Sequence, residues 1–398
     1  MLSTTARPFI EATVPVLLAN GEAITRHFYQ RMFHDHPELL NLFNLGNQAS
    51  GGQAQALAGA VYAFAVHMDK PTQIGPVLDR IAHKHVSLGI TPAQYTIVGR
   101  HLLASIGEVL GEAITQDIAA AWDEVYWLMA SELIAREARL YQERNWQVGA
   151  DWPEVVVLAK EHASEDTVAL TLGGVDGVAL PSFLPGQYLS VAVPLPDRAL
   201  TQVRQYSYSN APGEGVWRIT VKRVEAGSGG PEGMVSSRIH SDLQVGDRLS
   251  VGPAAGDFHL REGMRHVVMI SAGVGITPMV SMLQHIARMQ PQRAVTFAYA
   301  TSDAAHFPHR QEIEEGVRRL PHASCHVWFE KPDPTMPSAH PGRMNLDELG
   351  DLPHDADFYL CGPLPFMQQQ RRSLIAHGVD RSRIHCEVFG PDLLGELQ

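Results

Sequence analysis

Cysteine is nearly missing from this chain. Three occur among 398 residues, Cys325, Cys361 and Cys386, and the first 324 positions have none. No pair stands at a Cys-x-x-Cys spacing, which excludes a disulfide framework and a thiolate zinc site. Basic charge is also scarce, with 31 Lys and Arg against 43 Asp and Glu, a formal net charge of -12. No segment offers the basic face that meets phosphates, so no nucleic-acid partner is expected. Long apolar runs are lacking too: none approaches the roughly 20 residues of a transmembrane helix. The first helix-like stretch carries Glu11, Asn20 and Glu22 where a secretory signal would be apolar. The expectation is a cytoplasmic protein with no stable membrane anchor.

What is present suits several packed cores, with 45% hydrophobic and 19% charged residues. The length predicts two to three domains at about 150 residues each. From Ser3 to about Trp146 apolar residues recur at three and four, as in Phe28, Met32, then Leu39, Leu40, Phe43, and again Val125, Leu128, Met129, Leu133. This spacing predicts an all-helical segment, with breakers between helices at Pro37, Gly46, Gly51-Gly52, Pro71, Gly75-Pro76, Gly89, Pro92 and Gly111. Its last helix alternates charge through Arg136, Glu137, Arg139, Glu143 and Arg144. From Asp151 onward short β-rich runs such as Val155-Val156-Val157 and Trp217 to Val221, parted by Gly/Pro turns, predict a small antiparallel β-barrel. From His266 strands alternate with helices, which predicts an α/β domain with a parallel sheet covered on both faces. The expected domains are 1–147, 148–259 and 260–398, with no internal repeat.

Pro185-Gly186-Gln187-Tyr188 ends one strand and Arg204-Gln205-Tyr206-Ser207 occupies another. A flavin needs an aromatic cover, a cation for its pyrophosphate and small polar groups at its ring edge. Tyr188 and Tyr206 offer the first, Arg204 the second, Ser207 the third. Gly233-Met234-Val235-Ser236-Ser237 then opens a helix whose first amides suit a pyrophosphate. Ser271-Ala272-Gly273-Val274-Gly275-Ile276-Thr277-Pro278 follows a strand and has the form of a glycine turn and helix start, with Thr277 placed to cap. Cys361-Gly362-Pro363 ends a later strand, so both turns are expected at the carboxyl edge of the sheet, where nucleotides bind. Residues 153 to 398 thus resemble the ferredoxin–NADP reductase family. That resemblance implies FAD and NADH or NADPH as cofactors. It also implies a role for the tail Glu387-Val388-Phe389-Gly390-Pro391, an aromatic on the flavin with an acid near its reactive edge. Read without it, Phe389 is a core residue.

The helical segment holds His85 within Ile81-Ala82-His83-Lys84-His85-Val86, which resembles a globin's proximal helix. An all-α module with an axial histidine is most economically a haem domain. Phe43 follows a proline-bearing corner, as the globin phenylalanine against haem does. Gln53 and Leu57 stand four apart and share a helix face, and Tyr29 matches the distal tyrosine of bacterial globins. Each alone has a packing alternative; the ordered set is harder to dismiss.

A globin followed by FAD and NAD domains resembles the bacterial and yeast flavohaemoglobins over essentially the whole chain. The resemblance implies haem b ligated by His85, with Tyr95 and Glu137 in a hydrogen-bonded relay behind it. A surface carboxylate is the alternative for Glu137. It also implies Lys84 and Glu387 on the path from flavin to haem. The implied function is nitric oxide dioxygenase, a monomer turning nitric oxide and O2 into nitrate, with Tyr29 and Gln53 as distal donors and Leu57 restricting the pocket. A flavohaem reductase of peroxides or other acceptors is the alternative enzyme, and a globin-based oxygen or nitric oxide sensor the alternative class. About 250 residues of reductase speak against the sensor. Cys386 stands where an aromatic often precedes the terminal Glu, and Ala226 to Gly233 is longer and richer in glycine than that family leads one to expect.

Overall fold

The computed structural model describes residues 1–43, 52–227, 232–350 and 352–390. Its first part is helical: α1 (Arg7–Asp35), a 3-10 turn at Pro37–Asn41, α2 (Gly52–His67), α3 (Pro71–Ser87), α4 (Pro92–Leu110) and α5 (Gln116–Glu143). Proline opens α3 and α4, where its missing amide costs nothing, and α4 has a capping box between Thr91 and Gln94. One core joins these helices, with Phe28, Met32, Leu78, Ala82, Val125 and Ala130 almost wholly buried. Gly75-Pro76, expected between helices, lies inside α3 instead. Burial of Ile74 and Leu78 on either side carries the helix through the one bond that Pro76 cannot make. Gly46 and Gly51 fall outside the described residues.

The second part has β1 (Glu154–Ser164), β2 (Thr167–Gly174), β3 (Tyr188–Leu195), β4 (Leu200–Ser207), β5 (Trp217–Lys222), α6 (Met234–Ser241) and β6 (Arg248–Val251). The strands form one antiparallel sheet in the order β4-β3-β6-β1-β2-β5. This corrects the expected barrel, because the edge strands β4 and β5 share no ladder. They meet only beyond the end of β4, in an isolated bridge from Tyr208 to Ile219. The Ser209 amide still donates to the Arg218 carbonyl at 2.8 Å, but from Asn210 to Val216 the chain turns toward the third domain and side chains replace the pairing, as when Asn210 Oδ1 accepts from the Arg218 amide at 2.8 Å.

The third part runs β7 (Val267–Ala272), α7 (Ile276–Met289), β8 (Val295–Thr301), α8 (Arg310–Arg318), β9 (Ala323–Phe329), β10 (His340–Pro341), β11 (Asp357–Cys361), α9 (Leu364–Ala376) and β12 (Ile384–Glu387). All of its strand pairs are parallel, in the order β10-β9-β8-β7-β11-β12. Val267 and Met269 face a core shared with α7 and α8, while Val268 and Ile270 face one shared with α9. Burial on both faces explains the unbroken apolar run of β7. The chain leaves β7 toward β8 on one side and places β11 on the other, so β7 and β11 flank a switch point where a ligand crevice opens. Among the described residues, no helix is long and apolar enough to cross a membrane.

Candidate functional site

His85 lies in the last turn of α3, and α5 crosses behind it. Its Nδ1 is 2.7 Å from Glu137 Oε1 and 2.8 Å from the Tyr95 hydroxyl, which itself donates to Glu137 Oε1 at 2.5 Å. Glu137 is 2% exposed, not the surface carboxylate of the alternative reading. Val125, Met129, Leu133, Glu137 and Tyr141 follow one another at intervals of four along the buried face of α5. Burial, and then the charge of Glu137, hold the Tyr95 phenol far above its ordinary value, so it stays a donor. The other carboxylate oxygen, Glu137 Oε2, is buried with no hydrogen-bond partner among the described residues. An imidazole donating from Nδ1 to such a carboxylate presents a basic lone pair at Nε2, and among the described residues that atom makes no hydrogen bond. This donor set fits the proximal side of a haem iron.

Across the helical core, Tyr29 of α1 is 7% exposed. Its ring centroid lies 5.7 Å from Phe33 and 5.6 Å from Phe43, and the two phenylalanines lie 5.2 Å apart. Tyr29 and Phe43 are thus brought into one aromatic group. Gln53 and Leu57 sit one turn apart on α2, which packs against α1 so closely that a Cβ on Gly21 would lie 3.1 Å from that of Ala58. Leu57, Ile24, Val61 and Leu102 help line an apolar cavity of about 50 Å³ there.

The end of α3 rests on the second domain. Lys84 Nζ donates to Gln205 Oε1 at 2.8 Å and stands 6.0 Å from the Tyr188 ring centroid. The Gly256 amide donates to His83 Nδ1 at 3.3 Å, and a Cβ on Gly252 would lie 3.0 Å from the Ser87 carbonyl oxygen. On β3 and β4, Tyr188 pairs with Ser207, Leu189 with Tyr206 and Ser190 with Gln205, which gathers both sequence motifs beside α3. Arg204 donates to Gln202 Oε1 at 3.2 Å and the Val203 carbonyl at 2.8 Å, and has no acidic partner among the described residues. Burial lowers its pKa. A half-buried guanidinium without a carboxylate fits a pyrophosphate. Burial raises the phenol of Tyr206, against the charge of Arg204. Burial and then the charge of Glu387 raise that of Tyr188.

At the start of α6, Val235 and Ser236 are buried, and the Gly233 amide already donates to the Val224 carbonyl at 2.9 Å. Only amides after Gly233 remain for a phosphate. Val388 packs on the third domain's core, whereas Phe389 is 45% exposed, which sets aside its reading as a core residue. Gly390 has φ +150°; Pro391 lies outside the described residues, as do residues 228–231 of the glycine-rich loop.

At the crevice, Ser271, Cys361 and Glu387 stand in register on β7, β11 and β12, at the carboxyl ends of the strands. Ala272, Gly273 and Val274 lead into α7 through a tight turn in which Gly273 has φ +55°. A Cβ on Gly275 would lie 2.4 Å from the Cys361 carbonyl oxygen and 2.8 Å from the Gly362 amide, so the two turns touch backbone to backbone. Pro363 precedes α9, and Ile276 begins α7. Thr277 does not cap: its hydroxyl donates back to the Val274 carbonyl at 3.0 Å, while the Ile276 amide is taken up by the turn and Pro278 has no amide to offer. The buried Ser271 hydroxyl has no partner among the described residues. An orphaned hydroxyl and bare glycine backbone at a helix start fit a nucleotide diphosphate.

Sequence reasoning missed the contacts between domains. Arg144, read as part of a charged helix end, donates to the Ala254 carbonyl at 2.6 Å. Gln202 donates to the Leu40 carbonyl and the Thr201 amide to Asn41 Oδ1, both at 2.9 Å. Arg218, Thr220, His309 and Glu312 join the second and third domains. The alternation of Arg218 and Thr220 with buried Trp217, Ile219 and Val221 was the available signal.

The globin family matches residues 26–133, the oxidoreductase FAD-binding domain 154–260 and the oxidoreductase NAD-binding domain 269–372. A flavohemoprotein from Bordetella parapertussis is 47% identical over 98% of this chain and 99% of its own. The crystal structure of flavohemoglobin from Malassezia yamatoensis, with bound FAD and heme, superposes with a TM-score of 0.88 at 32% identity, over 98% of this chain and all of that one. The FAD/NAD-binding domain of nitric oxide dioxygenase from Vibrio cholerae covers 61% of this chain and 100% of its own, at 39% identity and a TM-score of 0.57. Haem, FAD and a pyridine nucleotide are therefore the cofactors of this oxidoreductase, and the chain belongs to the flavohemoprotein family.

Proposed function

We propose that this flavohemoprotein is a nitric oxide dioxygenase, converting nitric oxide and O2 to nitrate with electrons from NADH or NADPH. When bound, FAD accepts the hydride and passes single electrons on, and haem b supplies the iron at which oxygen is reduced. The observation that carries the reading is the 2.7 Å contact between His85 Nδ1 and the buried carboxylate of Glu137. It gives the imidazole a strong electron-donating character; an iron held at His85 Nε2 would supply chemistry that places negative charge on a diatomic substrate. Tyr95 holds the carboxylate in place. On the opposite side, Tyr29 and Gln53 are the proposed donors to that charge, and Leu57 narrows the approach. Lys84 and Glu387 are proposed to line the path between flavin and haem, and Arg204 to Ser207 with the 271–277 turn to seat FAD and nucleotide. The likeness of the reductase half to a domain of a Vibrio cholerae nitric oxide dioxygenase supports the same reaction. All these groups come from one chain, so a monomer in the cytoplasm would suffice.

The test is nitric oxide decay at an electrode in aerated buffer containing loaded protein and NADH, with nitrate quantified. Sustained decay with one nitrate per nitric oxide is expected. Decay that stops after one equivalent per haem while NADH oxidation continues would overturn the assignment. The same strongly donating imidazole also suits cleavage of an O–O bond, so that outcome would favour reduction of peroxides.

A further inference from the structure

We propose that Arg218, Glu312 and His309 form a positioning device that fixes α7, the helix at the nucleotide turn, against the flavin strand β4 and so sets the alignment for hydride transfer. The inference rests on the FAD and pyridine-nucleotide cofactors of the family, not on which acceptor the haem serves.

Period-two alternation makes the device possible. Trp217, Ile219 and Val221 of β5 fill the second domain's core, so Arg218 and Thr220 emerge from the opposite face, toward the third domain. Arg218 Nη1 and Nη2 fork onto Glu312 Oε1 and Oε2 at 2.9 and 2.7 Å. Such a bidentate pair fixes orientation as well as distance. Glu312 lies in the first turn of α8, where the helix dipole favours a carboxylate, and His309 donates to its Oε1 from Nδ1 at 2.9 Å.

The hydrogen bonds then close consistently. With Nδ1 of His309 donating to Glu312, its Nε2 accepts from the Thr220 hydroxyl at 2.7 Å, while Ser209 Oγ stands 2.9 Å from Thr220 Oγ1 and 3.3 Å from both Arg218 Nε, from which it accepts, and the Arg218 carbonyl oxygen. This pattern needs a neutral imidazole, and burial lowers the His309 pKa accordingly.

The cluster reaches α7 directly. Gln284 donates to Glu312 Oε2 at 2.5 Å and accepts from the Ala211 amide at 3.1 Å, and Ser281 donates to the Asn210 carbonyl at 2.7 Å. Asn210 follows the flavin motif residue Ser207 by three positions, and α7 begins at Ile276, directly after the nucleotide turn. A pair with Arg218 and Glu312 side chains 17% and 37% exposed is weak evidence for stability as such. Its forked geometry, tied through side chains of both domains, specifies their relative placement instead, and an error of about 1 Å at reacting centres costs about 100-fold in rate.

The experiment is anaerobic stopped-flow reduction of the fully loaded protein by NADH, followed by flavin absorbance, for wild type, Arg218→Lys, Glu312→Gln and the double variant. The limiting rate of flavin reduction is expected to fall about 10- to 100-fold, with the half-saturating NADH concentration changed less than about threefold. Long-wavelength charge-transfer absorbance between nicotinamide and flavin is expected to weaken in parallel. The double variant should be no slower than the worse single, because both break one unit. A wild-type limiting rate and charge-transfer band in variants that merely melt earlier would overturn the proposal. Should Glu312→Gln fail to fold, Thr220→Val, which releases His309 Nε2 and the Ser209 hydroxyl but leaves the Arg218–Glu312 fork, carries the same two readouts with a slowing of several-fold expected, and a wild-type rate and band there would overturn it equally. If NADH and NADPH both leave wild-type flavin oxidised, the reductase reading itself falls, a result distinct from either.

Discussion

Of the histidines that lean on carboxylates, His85 and His309 differ in what is left over. His85 meets Glu137 and Tyr95 through Nδ1 while Nε2 makes no hydrogen bond among the described residues. His309 engages Glu312 through Nδ1 and Thr220 through Nε2. The first imidazole keeps an open nitrogen among the described residues; the second has none to spare. Their carboxylates differ in the same sense. Glu137 sits inside one domain with an oxygen that has no hydrogen-bond partner among the described residues, whereas both oxygens of Glu312 are used across two domains. A histidine–carboxylate contact thus says little about role until the second nitrogen has been followed.

The comparison is broken most severely by swapping the losses. His85→Ala is expected to abolish haem retention, read as loss of the Soret band, while His309→Asn leaves haem and FAD content at wild-type levels. Equal haem loss in both would erase the distinction. Next, Glu137→Gln should cost about 10- to 100-fold in steady-state turnover without slowing anaerobic flavin reduction by NADH, the converse of Glu312→Gln.

Gly275→Ala is expected to cost about 1–3 kcal/mol of stability and to weaken NADH binding, because its Cβ would meet backbone at Cys361 and Gly362 that cannot swing aside. Calorimetry with nucleotide titration checks it, and an unchanged Tm and affinity would show that the turns open independently. Tyr29→Phe removes one donor worth about 1 kcal/mol, so loss of O2 from the reduced protein should speed up about fivefold, measured by ligand-replacement mixing. An unchanged rate removes that assignment.

The smallest effect concerns pH. Burial raises the Glu312 pKa, but hydrogen bonds from His309 and Arg218 outweigh it and bring the carboxyl down to about 2. A depressed folded value means stability present above the unfolded value of 4.5 and lost as pH falls toward about 2. His309, lowered by burial, acts in the same direction from 6.5 downward. The Tm gap between wild type and Glu312→Gln should therefore narrow on acidification through that range; a gap that widens would contradict the sign.

Much of the candidate site was legible because it is local. Glycine turns, the proline at a helix start and the Arg204 to Ser207 strand are short segments whose chemistry and spacing survive without a fold around them. Glu137 was half legible: its i+4 series with Val125, Met129 and Leu133 marks a buried face, yet the neighbouring arginines mask it. Gly75-Pro76 misled, since packing of Ile74 and Leu78 outweighs a local breaker. The barrel was misjudged for a related reason. Strand count and turn spacing do not say whether edge strands spend their hydrogen bonds on each other or on a loop bound for another domain.

The sequence by itself determined the order of modules, the helical or strand character of most stretches and the residue types proposed to meet haem, flavin and nucleotide, because periodicity and turn chemistry are properties of neighbours along the chain. Only the tertiary structure decided which histidine keeps a free nitrogen, that Lys84 meets Gln205, and that Arg218 finds Glu312 94 residues away. Those pairings come from faces of separate domains packing together, and no local pattern encodes the distance between residues that meet only when the chain has closed on itself.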